Sequence, residues 1–248
     1  MIQPISNFTT VDTMYGKWIV SRHAQYHAES LIKTGITCIQ EEVNLMVTIA
    51  NTLPENCILV DVGFNMGMVS IPLATAVKDK SGRVYSFEVQ KQLFYALCGT
   101  IVLNDLDNLE AFNCGIGDEQ KVLKIPKVDY TENKDYGLVS LGDQTAIGNQ
   151  AHDTVDIFPL DYFEYERLDF IKIDVEGMEL EVLKGGEKTI KAHRPWAYIE
   201  YWNVDQVQLK SWFDGMDYTL YSLPGGNILC CPNEKMAAAE IVVNAPLF

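Results

Sequence analysis

Cys57-Ile-Leu-Val-Asp-Val-Gly-Phe-Asn-Met-Gly67 is the stretch that decides the fold of this chain. Residues 57–62 are a short, nearly continuous apolar run, which is the pattern of a strand buried on both faces. Gly63 and Gly67 bracket a tight turn, and residues 67–77 read as a helix, with Pro72 within its first turns. Glycine at the end of a buried strand lets the backbone take φ > 0 and lets a ligand approach it closely.

The same alternation continues downstream. Residues 83–87, 109–113, 170–175 and 196–200 read as strands, and residues 90–104 as a helix with Leu93, Leu97, Ile101 and Val102 on one side. Residues 218–223 and 227–231 flank Pro224-Gly225-Gly226, an antiparallel hairpin signal. Upstream, Glu42, Leu45, Met46 and Ile49 recur at helical spacing and stop before Pro54. The expected fold is α/β: a mostly parallel sheet with helices on both faces, the hairpin at one edge and a small N-terminal cap. The expected organisation is a lead-in over 1–56 and a ligand-binding domain over 57–248, with an inserted loop at 119–160. Inside that insertion, 120–125 and 154–158 read as short strands. The polar run 127–150 between them reads as a mobile flap near the ligand, with plain disorder as the other reading.

Composition narrows the partners. The 248 residues are 48% hydrophobic and 21% charged, as in a globular protein, and 34 acidic residues against 19 basic ones give a net charge of -15. Such a field repels phosphate backbones and anionic lipid, so neither nucleic acid nor a membrane surface is the expected partner; a small molecule is. The opening residues show no basic stretch followed by an apolar one, and no apolar run reaches the roughly 20 residues that span a bilayer. The six cysteines form no C-x-x-C pair and sit mostly in apolar stretches, which points to reduced, packed thiols in a cytoplasmic protein. His23, His27, His152 and His193 offer no convincing metal register, and no G-x-S-x-G elbow is present. No metal is expected.

Three segments carry chemistry. Asp61 precedes the glycine turn in an apolar strand and needs a donor. Glu88 closes the second strand 21 residues beyond Gly67, about the interval that sets an acid on the hydroxyls of a ribose. Lys172, Asp174 and Glu176 share one face of a strand by its two-residue period, with Glu200 ending the next strand. Charges on an inner strand must pair with one another or with a ligand. An internal Lys172–Asp174 pair with Glu176 capping the following helix would satisfy the same pattern.

Asp61-Val-Gly63-x-Asn65-x-Gly67, Ser86-Phe-Glu88 and Asn113-Cys-Gly-Ile-Gly-Asp118 together resemble the Rossmann-like S-adenosylmethionine-dependent methyltransferases. The segment Phe170-Ile-Lys-Ile-Asp-Val-Glu-Gly-Met-Glu-Leu-Glu-Val-Leu-Lys-Gly185, followed by Arg194-Pro195 and Glu200, is similar to the signature of the FkbM family. The likeness runs from about Tyr15 to Trp202, with Thr34-Gly35 and Glu41-Glu42 in the lead-in. It implies a seven-stranded sheet and O-methylation of a sugar or secondary-metabolite hydroxyl. The methyl donor is then S-adenosyl-L-methionine and the product S-adenosyl-L-homocysteine, with a small-molecule or glycan acceptor. Asp61, Gly63, Asn65 and Gly67 would hold the methionine end, Glu88 the ribose, and Asp118 would lie near the adenine. Phe64 and Val89 stand where the family usually has Ala and Pro. For methyl transfer, Asp174 and Glu176 are the candidate proton acceptors. Lys172, Glu200, Tyr136 and Ser140 are the candidate acceptor contacts. Three other readings are a nicotinamide oxidoreductase, disfavoured without G-x-G-x-x-G, a non-catalytic nucleoside-binding module, and an N- or carboxyl-methyltransferase of the same fold. The oligomeric state has no readable code.

Overall fold

Twelve strands and seven α-helices follow one another among the residues that the computed structural model describes, 6–137 and 151–236. The N-terminal part comprises the hairpin β1 (Phe8–Thr13) and β2 (Gly16–Ser21), then α1 (His27–Thr34) and α2 (Gln40–Thr52). The expected alternation then appears: β3 (Ile58–Val62), α3 (Ser70–Val77), β4 (Arg83–Phe87), α4 (Lys91–Leu103) and β5 (Leu109–Phe112). Three short strands come next, β6 (Gly115–Gly117), β7 (Lys121–Pro126) and β8 (His152–Pro159). The chain continues through β9 (Phe170–Ile173), α5 (Glu179–Gly185), α6 (Glu187–His193), β10 (Trp196–Glu200) and α7 (Gln206–Trp212). It closes with the hairpin β11 (Tyr218–Leu223) and β12 (Asn227–Pro232).

The main sheet has seven strands in the order β11-β12-β10-β9-β3-β4-β5. The five from β10 to β5 are parallel, and at one edge the hairpin adds β12 antiparallel to β10 and β11 antiparallel to β12. The chain enters at β3, moves outward to β4 and β5, then returns to place β9 on the other side of β3. Strand order therefore reverses between β3 and β9, and a crevice opens at their carboxyl ends. The insertion forms its own sheet, β6-β8-β7, in which both expected strands take part.

Alternation along each strand divides the core in two. Leu59, Val84, Phe170, Trp196 and Leu229 face α2, α3 and α4, and Trp18, Val20, Leu31, Met46 and Ile49 of the lead-in enter this same core. Val60, Val62, Ile171, Ile173, Ala197 and Ile199 face the other way, toward Val182, Leu183, Ile190 and Leu209. All six cysteines are free, and Cys57, Cys114, Cys230 and Cys231 are buried. No helix among the described residues is long and apolar enough to cross a membrane.

Residues 127–137 of the expected flap are packed against the fold rather than free, and residues 138–150 lie outside the described residues. Tyr136 is buried in the first core, its ring 4.7 Å from that of Tyr130, and its hydroxyl donates to the Glu132 carbonyl at 2.6 Å. Two aromatics in a polar run are enough to fasten residues 127–137 down. Tyr136 is thereby a core residue rather than an acceptor contact. Ser140 lies outside the described residues.

Candidate active site

Ser86, Asp61, Lys172 and Tyr198 are register neighbours across β4, β3, β9 and β10, a polar row on an otherwise apolar face. Asp61 is fully buried. Its Oδ2 accepts from the Ser70 hydroxyl at 2.5 Å, and Ser70 Oγ accepts from Ser86 at 2.9 Å. Lys172 Nζ lies 3.5 Å from Asp61 Oδ1 and 3.0 Å from Asp174 Oδ2, and donates to the Gly63 carbonyl at 2.8 Å. Burial alone would lower the Lys172 pKa; Asp174 and Asp61 outweigh it and hold the ammonium above its usual value. Lys172 thus staples the end of β9 to the turn after β3. Asp61 stands behind the pocket wall as an anchor for that staple, not in the wall itself. The internal Lys172–Asp174 pair does form.

The turn after β3 explains its glycines. Gly63 has φ +86°, and a Cβ there would sit 1.9 Å from the Asp174 carbonyl oxygen, so no other residue fits. Gly67 (φ +80°) meets the Leu97 and Ile71 side chains and lies beneath the turn, away from the pocket wall. The Asn65 N–H donates to Glu88 Oε2 at 2.9 Å, and the Gln90 N–H to Glu88 Oε1 at 2.8 Å. Glu88 is nonetheless pushed up to about 7, because burial outweighs those two donors. Asn113 Nδ2 donates to the Glu88 and Val89 carbonyls at 2.9 and 3.1 Å, holding the turn that carries the acid. Phe64 is buried rather than crowding the crevice, and Val89 supplies part of its apolar wall.

Gly63, Asn65, Glu88, Lys172, Asp174, Glu176 and Glu200 all line one cavity of about 310 Å³, within the range of small-molecule sites. Asp118 does not. It pairs with Lys121 at 2.7 Å, and Cys114, Gly115 and Ile116 form the wall where Asp118 was expected.

At the far end, oxygens of Asp174, Glu176 and Glu200 lie within 4.8 Å of one another. Glu176 adopts a left-handed backbone (φ 55°), the kind of strain that collects at functional sites. The Glu179 carboxylate holds that turn by accepting from the N–H groups of Val175 at 3.2 Å and Gly177 at 3.1 Å. Glu179, not Glu176, supplies the local cap. Asn203 Nδ2 donates to Glu176 Oε2 at 3.0 Å. Burial, then Asp174, pushes Glu176 up to about 7; burial, then Asp174 and Glu176, pushes Glu200 up to about 9.

Several wall residues had no legible signal. His27 comes from α1 and Asp135 from the insertion, and burial lowers the His27 pKa against the opposing pull of Asp135 and Asp174. Glu42, from α2, accepts from the Tyr198 hydroxyl at 2.7 Å. Trp202 lines the mouth two residues past Glu200, half-exposed.

The raised carboxyls set a pH dependence. The usual glutamate value is 4.5, whereas Glu88 and Glu176 sit at about 7 and Glu200 at about 9. Within that window the folded chain binds more protons than the unfolded one, so stability falls as pH rises. The melting temperature of the ligand-free protein should decline from pH 5 to pH 9, and Glu200→Gln should flatten the limb above pH 7. A curve that rises across this window would contradict the assignment.

A family model described as Methyltransferase FkbM domain matches residues 61–220. Methyltransferase sdnD of Sordaria araneosa is 28% identical over 193 residues, which cover 66% of this chain and 69% of that protein. Methyltransferase 1 of Beauveria bassiana (strain ARSEF 2860) is 26% identical over 149 residues, covering 53% of this chain and 59% of its own length. A crystal structure of methyltransferase FkbM from Methylobacillus flagellatus KT shares the fold, with a TM-score of 0.52 and 21% identity over 72% of this chain. The match takes in 44% of that crystallised chain, so this protein spans less than half its length. The family match takes in Gly63, Asn65, Glu88, the Lys172–Glu176 segment and Glu200, which line the crevice. This chain belongs to the FkbM methyltransferase domain family.

Proposed function

We propose that this chain moves a methyl group from S-adenosylmethionine to a hydroxyl of a small molecule or glycan, such as a sugar or secondary metabolite, in the cytoplasm. The observation that carries this reading is one cavity with two different ends: the buried Glu88 beside the Gly63 turn, and Glu176 on a strained turn among further carboxylates.

The residues present suit the donor. Gly63 leaves backbone exposed at the strand end, Glu88 offers an acid for ribose hydroxyls, and Val89 and Cys114–Ile116 offer an apolar wall. Gly63 and Asn65 would hold the amino-acid tail, and Glu88 the ribose. When bound, the donor supplies an electrophilic methyl on a sulfonium. The chain's own part is to place the acceptor oxygen behind that methyl, to exclude water and to take the hydroxyl proton. Glu176 is the better proton acceptor of the two candidates, since its value near 7 matches neutral working conditions. Asp174 is committed to Lys172 at 3.0 Å, so one of its oxygens is already engaged. Lys172, itself engaged on three sides, shapes the wall and leaves acceptor contact to Glu200 and Trp202.

Incubation with methyl-labelled donor and a panel of alcohols, amines and carboxylic acids tests the reading. Label is expected in an alkali-stable methyl ether. Label in an alkali-labile ester or in an amine would replace O-methylation by the corresponding transfer, and donor binding without turnover would leave a binding module.

A further inference from the structure

Gln90 is a buried polar residue of the cavity wall whose side chain has no part in the chemistry above. Its backbone N–H holds one Glu88 oxygen. Its carboxamide uses both ends on the insertion: Nε2 donates to the Tyr136 carbonyl at 2.7 Å, and Oε1 accepts from the Tyr130 hydroxyl at 2.8 Å. The acid at the end of β4 and the aromatic pair of residues 127–137 are therefore fastened at one point. From there the insertion runs over the cavity, where Asp135 and Gly137 enter its wall. A Cβ on Gly137 would come within 3.2 Å of Asn65 Nδ2, so the insertion lies close over the glycine turn.

A second tie joins the insertion to the lead-in. Lys134 bridges Ala24 in parallel register: the Gln25 N–H donates to the Lys134 carbonyl at 3.0 Å, and the Lys134 N–H to the His23 carbonyl at 3.1 Å. That bridge brings His27 to the cavity wall, with Nε2 3.9 Å from Asp135 Oδ1. Two segments distant in sequence thus form one cover, and the carboxamide of Gln90 is its fastening to the sheet.

We propose that Gln90 is a positioning residue: its side chain holds residues 127–137 as a roof over the cofactor end of the cavity, so that cofactor affinity depends on the two bonds its carboxamide makes to that segment. This rests on Glu88 being the cofactor acid. The fastening is directional. Both carboxamide ends are buried and bonded, so an apolar side chain of similar size removes two hydrogen bonds and strands the Tyr136 carbonyl and the Tyr130 hydroxyl.

Gln90→Leu tests it, since the backbone N–H to Glu88 survives the change. S-adenosylhomocysteine titrated by calorimetry is expected to bind about tenfold more weakly, the effect of two ordinary hydrogen bonds. Hydrogen exchange is expected to quicken in 127–137 and 23–27, while the strands of the main sheet stay protected. Tyr130→Phe, which removes only one of the bonds and spares the buried carboxamide, is expected to give a smaller loss in the same direction. The double variant should be no weaker than Gln90→Leu alone, because the two residues share one contact. Unchanged affinity in either folded variant, additive losses, or quickened exchange across the whole sheet would overturn the proposal. Failure of the unaltered protein to bind S-adenosylhomocysteine would overturn the cofactor reading, and this inference with it.

Discussion

Glu176→Gln is expected to lower kcat about a hundred- to ten-thousandfold, the range for loss of a positioned general base. Affinity for S-adenosylhomocysteine should stay close to that of the parent. Glutamine keeps the length of the side chain and can still accept from Asn203, so the strained turn held by Glu179 survives. What it cannot do is take a proton from the acceptor hydroxyl. The pH profile supplies an independent readout. With Glu176 at about 7, kcat/KM for the acceptor should rise as pH passes through that value, because the ionised form is the active one. The variant should lose this limb. Asp174→Asn should also reduce turnover, but by disturbing Lys172, and it should retain the limb at a shifted position. Full turnover in both variants would rule out base catalysis by this pair.

Lys172→Met is expected to cost about 3–5 kcal/mol of folding stability, the usual penalty when one partner of a buried ion pair is removed. In a domain of this size that corresponds to a fall in Tm of about 6–20 °C. Methionine fills the space but leaves Asp61, fully buried, with only Ser70 as a donor, and it releases the Gly63 carbonyl. Adding Asp61→Asn should recover part of the loss, since the stranded charge is then gone. Denaturant titration of the three proteins measures this directly. A single variant within about 1 kcal/mol of the parent would show that the Lys172 staple contributes little.

The fold was legible because its signals are local. The apolar run at 57–62, its glycine turn and the period-two strand at 170–173 each lie within a few residues, and together they imply the parallel sheet and the crevice at β3 and β9. Glu88 was legible for the same reason, through a fixed interval within one strand–helix unit. Depth and register were not. Alternation puts Asp61 and Lys172 each on a face, but only strand pairing makes them partners and sets Asp61 behind the wall. Tyr136 was misplaced because a polar neighbourhood hid an aromatic anchor. Asp118 was misplaced because its nearest cation, Lys121, lies one turn beyond the motif. His27, Asp135 and Gln90 meet through contacts between segments far apart in the chain, and no spacing rule connects them.

The most direct measurement is a set of parallel calorimetric titrations of S-adenosylhomocysteine and NAD into the unaltered protein and into Glu88→Ala. S-adenosylhomocysteine should bind the unaltered protein as a single-site ligand and the variant far more weakly, with NAD silent in both. Equal binding to the variant, or heat from NAD and none from S-adenosylhomocysteine, would contradict a nucleoside held by Glu88 at the mouth of this sheet.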